Sequence, residues 1–289
     1  MPLVVDVKAV VDRMALEVGD ESGDVDHGHE PDTTLTPVAA DRLTAEPVAL
    51  LAECADAVAK VLARTEDWGP SGRRAGQYSV DLATDEAALT VLRRAGVSIL
   101  SEESGFERGS REREVVVIDP LDGSTNASRG IPWFATSLCL VDADGPASAF
   151  VANQWSGVRY WATRGGGAWC DGVRVQPSGC AVVGDAVVGI SGPPPPAPGW
   201  AQFRALGAAA LDLCLVADGT LDGFVDCVAD AHGVWDYLGG TLICREAGAV
   251  VTDAFDRELE VLEHAARRTP VAAATPELHA ELIRARRRL

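Results

Sequence analysis

Two aspartates stand three residues apart in DPLDGSTN (119–126), directly after the apolar run VVVI (115–118). Gly123 follows them, and then come Ser124, Thr125 and Asn126. An acid at the C-terminal end of a buried strand is where α/β folds present groups to a ligand. A second apolar run ends in the same way: VSIL (97–100) leads into Ser101, Glu102 and Glu103. If the two strands are neighbours, Glu102 meets Asp119 and Asp122 at one rim. A further acid, Asp236, sits in WDYLGG at a predicted helix start. Carboxylates gathered like this repel one another and are costly to desolvate. Hard divalent cations relieve both effects, and a site of oxygen ligands suits Mg²⁺, Mn²⁺ or Ca²⁺. Pro120 fixes the local backbone, so the Leu121 carbonyl can face an ion as well. Gly123 permits a sharp turn. Ser124 and Thr125 then offer backbone N–H groups at a helix start, a geometry that holds phosphate. Taken alone, Asp119 and Asp122 fit an Asx-turn equally well. Their coincidence with Glu102 and Asp236 favours ions.

These side chains need a scaffold. Leu50, Leu51, Cys54, Val58, Val61 and Leu62 fall on one face of a helix predicted over 47–66. A second helix is predicted over TDEAALTVLRRAG, with Thr84 as its cap, Asp85 and Glu86 in its first turn and Gly96 as its stop. Strands are predicted at 97–100, 115–118, 135–143 and 148–154, and two more around a glycine-rich turn in 158–175. The run Pro193–Pro196 reads as a stiff extended linker, with a lobe boundary between 178 and 200. Beyond it, helices are predicted to end at Gly219 and at Gly248, strands at DGFVDCV and VVTD, and a last helix in PELHAELIRARRRL. Strands alternate with helices, which gives α/β layers. Residues 1–45 carry acids, glycines and prolines without apolar periodicity and read as a loose extension. His27 and His29 within it read as solvated, not as metal ligands.

Composition excludes several functions. The 289 residues carry a formal net charge of −18, which repels nucleic-acid backbones and anionic membranes. No apolar run reaches the roughly 18–20 residues that span a bilayer, and the N-terminus lacks the pattern of a secretory signal. The seven cysteines show no CxxC motif and read as reduced, mostly buried thiols in a cytoplasmic protein. An anionic substrate would need arginines or bound cations to overcome the acidic field.

DPLDGSTN resembles the signature of the inositol monophosphatase superfamily, which includes fructose-1,6-bisphosphatases and adenosine bisphosphate phosphatases. SEESG (101–105) resembles the family's upstream acidic pair, and WDYLGGTLICREAGAVVTD (235–253) its second signature. DLATDEAA (81–88) resembles the segment with its water-activating aspartate, and RGGGAWCDG (164–172) its glycine hairpin. The blocks fall in family order over about 48–287. The resemblance implies a layered αβαβα sandwich of the sugar-phosphatase type, with two lobes and the active site between them. Residues 46–180 would carry the metal and phosphate site, and 181–289 would supply Asp236 and substrate contacts. It implies two or three Mg²⁺ ions, or Mn²⁺ in their place, on Glu102, Asp119, Asp122, Asp236 and the Leu121 carbonyl. It implies that Asp85 and Ser124 orient and deprotonate the attacking water, and that Gly123, Ser124 and Thr125 grip the phosphate. A small phosphorylated substrate, sensitivity to Li⁺ and a homodimer are implied as well.

The sequence departs from the family at several points. The family commonly has serine or threonine after Gly207, where this chain has Ala208, and small residues where Tyr237 and Leu238 stand. Gly207, Ala208 and Asp226 are the expected substrate contacts, with Asp226 placed for a sugar hydroxyl. The spacer 227–234 is long, and His232 within it carries little weight as a general acid. Gly165–Gly167 read as a hairpin turn before a ligand contact, and Arg204 reads equally as a surface ion pair or a second phosphate ligand. Two alternatives to a common cyclitol, sugar or nucleotide phosphatase stay open: a phosphatase for a specialised pathway intermediate, and a non-catalytic sugar-phosphate binder.

Overall fold

The computed structural model describes residues 46–74 and 76–288. The expected extension over 1–45 lies outside the described residues. Helices α1 (Glu46–Leu62) and α2 (Ser79–Ala95) come first. In α1, Val48, Leu51, Cys54, Ala55 and Val58 recur every three or four residues, and all are buried. Burying each larger side chain contributes about 1.5–3 kcal/mol, so the packed face holds the helix more than its propensity does. Helix α2 begins at Ser79, ahead of the expected Thr84. Its cap is Tyr78, whose N–H donates to Asp81 Oδ2 at 2.8 Å. Thr84 lies inside the helix, with its hydroxyl donating to the Val80 carbonyl at 2.9 Å. The pair Thr84–Asp85 imitates a cap in sequence, while the real first turn hides a buried aspartate. Gly96 ends α2 with φ 75°, as expected.

The large sheet is built from β1 (Val97–Ser101), β2 (Gly105–Glu107), β3 (Arg111–Asp122), β4 (Ala135–Asp142), β5 (Gly145–Asn153), β6 (Arg159–Thr163), β7 (Gly167–Cys170) and β8 (Val173–Arg174). Its spatial order is β2-β1-β3-β4-β5-β6-β7-β8. Only β1 and β3 are parallel neighbours, with Leu100 opposite Val117 and Ser101 opposite Ile118. Glu102 and Asp119 therefore leave adjacent strands at one end.

A short helix α3 (Ser124–Ser128) follows β3. The small sheet holds β9 (Val187–Ser191), β10 (Gln202–Arg204), β11 (Gly223–Asp226), β12 (Val250–Asp253) and β13 (Pro270–Ala273), in the order β10-β9-β11-β13-β12. Helices α4 (Ala209–Ala217) and α5 (Val234–Ala247) pack against both sheets, and α6 (Pro276–Arg286) covers the outer face of the small one. Since α1 and α2 lie on the other face of the large sheet, the layers run αβαβα. Pro193–Pro196 does not join the two sheets. It lies in the connection from β9 to its parallel neighbour β10, within one sheet. All seven cysteines are free thiols, five of them buried. Among the described residues no helix is long and apolar enough to cross a membrane.

Candidate active site

DPLD is not a turn after a strand but the end of β3, and the register with β4 breaks between Asp119 and Asp122. In a regular strand, residues three apart point to opposite faces. The irregularity re-aims them, so both carboxylates lie in the field of Asp236. Asp236 sits in the first turn of α5, its Oδ2 accepting from Gly233 N at 2.7 Å. One oxygen each of Glu102, Asp119 and Asp236 lie within 4.8 Å of one another. Acids from three separate elements thus offer a ready set of hard oxygen donors, the donor chemistry that suits Mg²⁺ or Mn²⁺.

The electrostatics agree. Burial, then the charges of Glu102, Asp122 and Asp236, hold Asp119 well above the carboxylate range. Burial and Asp236 do the same to Asp122. Glu102 is pushed up to about 8 by burial, then by Asp236 and Glu103, with Arg74 opposing. Burial raises Asp236 too, against the lowering effect of His232. A bound cation offsets this mutual repulsion. Glu103 is otherwise engaged: Arg74 Nη2 donates to its Oε1 at 2.8 Å and Gln77 Nε2 donates to its Oε2.

Asp85 lies in the second turn of α2, buried, and accepts hydrogen bonds from the hydroxyls of Ser101 at 2.5 Å and of Ser104. Burial raises its pKa against those two bonds. Ser101 and Ser104 flank the glutamate pair, and sequence reasoning overlooked them; only their place in SEES could have drawn attention. Gly123 has φ 84°, and an added Cβ would come within 3.1 Å of the Gly207 and Trp133 carbonyls and 3.2 Å of Ala208 Cβ. Asn126 Nδ2 donates to the Leu206 and Trp133 carbonyls, both at 2.8 Å. The 123–126 and 206–208 segments therefore face each other closely. Thr125 is exposed, with Tyr78 hydroxyl 3.4 Å from its Oγ1.

Ala208 is the N-cap of α4 without a side-chain cap. Asp122 Oδ2 accepts from Ala210 N at 2.8 Å, supplying the capping carboxylate from another element. Tyr237 and Leu238 are core residues, and the Tyr237 hydroxyl donates to the Leu259 carbonyl at 2.9 Å.

Asp226 does not stand open to a sugar. It is fully buried, with Oδ1 accepting from Val228 N at 3.0 Å and Oδ2 bonded to His232 Nδ1 at 2.8 Å. The long spacer folds His232 back onto it. Burial lowers the His232 pKa, but the Asp226 bond and the charges of Asp236, Asp226 and Asp122 outweigh that and raise it to about 9. His232 carries little weight in sequence because metal-activated hydrolysis needs no general acid, and no local pattern marks its contact with Asp226. Gly165 and Gly167 form a turn held by Glu246, which accepts from their N–H groups at 2.8 and 2.9 Å. Arg204 is exposed and donates within its own strand, to the Phe203 carbonyl and to Gln202.

Asp212, one turn into α4, accepts from Trp133 Nε1 at 2.8 Å. Burial pushes it up to about 7, against the Trp133 bond and His232. Its usual value is 3.8, so between pH 3.8 and 7 the folded state binds the extra proton and stability falls as pH rises. Asp212→Asn keeps the acceptor and removes the charge. In metal-free protein it is expected to raise the melting temperature at pH 8 and to change it little at pH 4. A lower melting temperature than wild type at pH 8 contradicts this reading.

The sequence profile of the inositol monophosphatase family matches residues 52–289. A fructose-1,6-bisphosphatase/inositol-1-monophosphatase of Archaeoglobus fulgidus is 32% identical over 226 residues, covering 76% of this chain and 87% of that protein. The Nus factor SuhB of Escherichia coli is 33% identical over 192 residues, covering 61% and 70%. Among solved structures, the suhB extragenic suppressor protein of Bartonella henselae superposes with a TM-score of 0.71 at 26% identity, over 84% of this chain and 98% of that one. Profile, relatives and layered architecture agree: the chain belongs to the inositol monophosphatase family.

Proposed function

We propose that the protein is a Mg²⁺-dependent phosphomonoesterase acting on a small phosphorylated cyclitol or sugar. The observation that carries this is the meeting of Glu102, Asp119 and Asp236 within 4.8 Å, beside a glycine turn suited to a phosphate. Together with Asp122 and the Leu121 carbonyl, these groups would hold two or three ions, with Mn²⁺ as a substitute for Mg²⁺. When bound, the ions supply positive charge to the ester oxygens and acidify water. Asp85, its carboxylate held by Ser101 and Ser104, orients the attacking water with Ser124 and takes its proton. A pKa raised by burial makes Asp85 a better base than a solvated aspartate. The backbone N–H groups of Gly123, Ser124 and Thr125 grip the phosphoryl oxygens, opposite Gly207 and Ala208. Residues 46–180 form the lobe that carries this site, and 181–289 the lobe that brings Asp236. The similarity to a protein named for both fructose 1,6-bisphosphate and inositol 1-phosphate supports a polyol phosphate as the substrate.

The test is phosphate release from inositol 1-phosphate, fructose 1,6-bisphosphate and adenosine 3′,5′-bisphosphate, with Mg²⁺ and with a chelator. Release from at least one polyol phosphate, lost on chelation, is expected. Silence on every ester in the presence of Mg²⁺ would remove the proposal. Calorimetric binding without turnover would replace it with a sugar-phosphate binding role.

A further inference from the structure

We propose that His264 is a positioning residue for the metal centre, joining the Glu102 turn to the start of the helix that carries Asp236. The inference rests on the proposed reading only in treating these acids as metal ligands. Three of the four carboxylates are fixed by nearby backbone. Asp119 Oδ1 accepts from Leu121 N at 2.9 Å, Asp122 from Ala210 N and Asp236 from Gly233 N. Glu102 lacks such a tether on its carboxylate. It lies in the turn between β1 and β2, and its nearest ion pair is Arg74 at 3.5 Å. The turn is held through its backbone instead. Glu102 N donates to the Ile118 carbonyl at 3.1 Å, and His264 Nε2 lies 3.0 Å from the Glu102 carbonyl. A carbonyl only accepts, so Nε2 carries the hydrogen.

His264 comes from the connection between β12 and β13, 162 residues away in sequence. Its ring lies against Trp235, the residue before Asp236, with centroids 4.7 Å apart and planes 35° apart. The Arg267 guanidinium sits 5.0 Å over Trp235, and its Nη1 donates to the His264 carbonyl at 2.8 Å. Trp235 in turn accepts at its carbonyl from Ser137 Oγ, on β4 of the large sheet, at 3.2 Å. One imidazole thus contacts the elements bearing two ligands that no strand pairing connects. Removing its N–H alters no ligand side chain but frees the Glu102 turn to drift from Asp119 and Asp236. Partners that orient ligands in this way typically change metal affinity by about 10–100-fold when lost.

Two substitutions separate hydrogen bonding from packing. His264→Phe keeps a ring against Trp235 and removes the donor; His264→Gln keeps a donor and removes the ring. Mn²⁺ binding to each is measured by calorimetry without substrate, alongside the melting temperature of the metal-free protein. The expected result is binding about 10–100-fold weaker for His264→Phe and within about 3-fold of wild type for His264→Gln. Where activity is followed, His264→Phe should raise the half-saturating Mg²⁺ concentration while kcat at saturating Mg²⁺ holds within about 3-fold. Wild-type affinity in His264→Phe overturns the inference. So does an equal loss in both variants with matching drops in melting temperature, which marks a packing role. Failure of the wild-type protein itself to bind Mn²⁺ would instead remove the metal reading, and this inference with it.

Discussion

Asp119→Asn is expected to lower phosphate release by at least about 10³-fold at any Mg²⁺ concentration. Asp119 is the most central of the acids. It is 2% exposed, shares the donor cluster with Glu102 and Asp236, and feels the charges of Glu102, Asp122 and Asp236. Asparagine keeps the shape and the acceptor for Leu121 N but halves the oxygen donors and removes the negative charge. Loss of that charge also lessens the repulsion in the metal-free protein, so the variant should melt no lower than wild type without metal. Activity and stability are expected to move apart, which separates a ligand from a packing residue. Near-normal turnover in folded Asp119→Asn would refute its role.

Asp85→Asn is the second large effect. A positioned general base contributes typically about 10²–10⁴-fold, and a loss of kcat in that range is expected. Asp85 takes part in no donor cluster with Glu102, Asp119 and Asp236, so the half-saturating Mg²⁺ concentration should change little. An amide can still accept from Ser101, and burial no longer opposes a charge there. A variant with reduced Mg²⁺ affinity and normal kcat at saturation would make Asp85 a positioning group and not a base.

The two variants draw on features with different sequence visibility. The four acids were legible because each sits at the end of an apolar run or next to a helix start, where residue type and local pattern suffice. The parallel pairing of β1 and β3, needed for Glu102 to meet Asp119, was a condition that sequence could state but not decide. The register break within DPLD was hidden, because alternation carries no mark of a bulge. The layered architecture followed from alternating strand and helix patterns and from the resemblance. The proline run misled, since stiffness reads the same inside a sheet crossover as between lobes. Thr84 misled because a threonine–aspartate pair looks the same as a cap and as a buried second turn. What escaped altogether depends on long-range contact: Ser101 and Ser104 on Asp85, His232 on Asp226, Asp122 capping α4, and His264 on the Glu102 carbonyl. None has a spacing rule, because each pair is brought together only by the stacking of layers.

The central claim is that carboxylates from the β1–β2 turn, the end of β3 and the start of α5 share divalent ions. Anomalous diffraction from crystals soaked in Mn²⁺ tests it most directly. The expected result is at least one strong peak bounded by Glu102, Asp119 and Asp236, with oxygens at about 2.0–2.2 Å, as for other small divalent ions. A map with no peak among those three side chains at saturating Mn²⁺, or with the ions held by other residues, would contradict it.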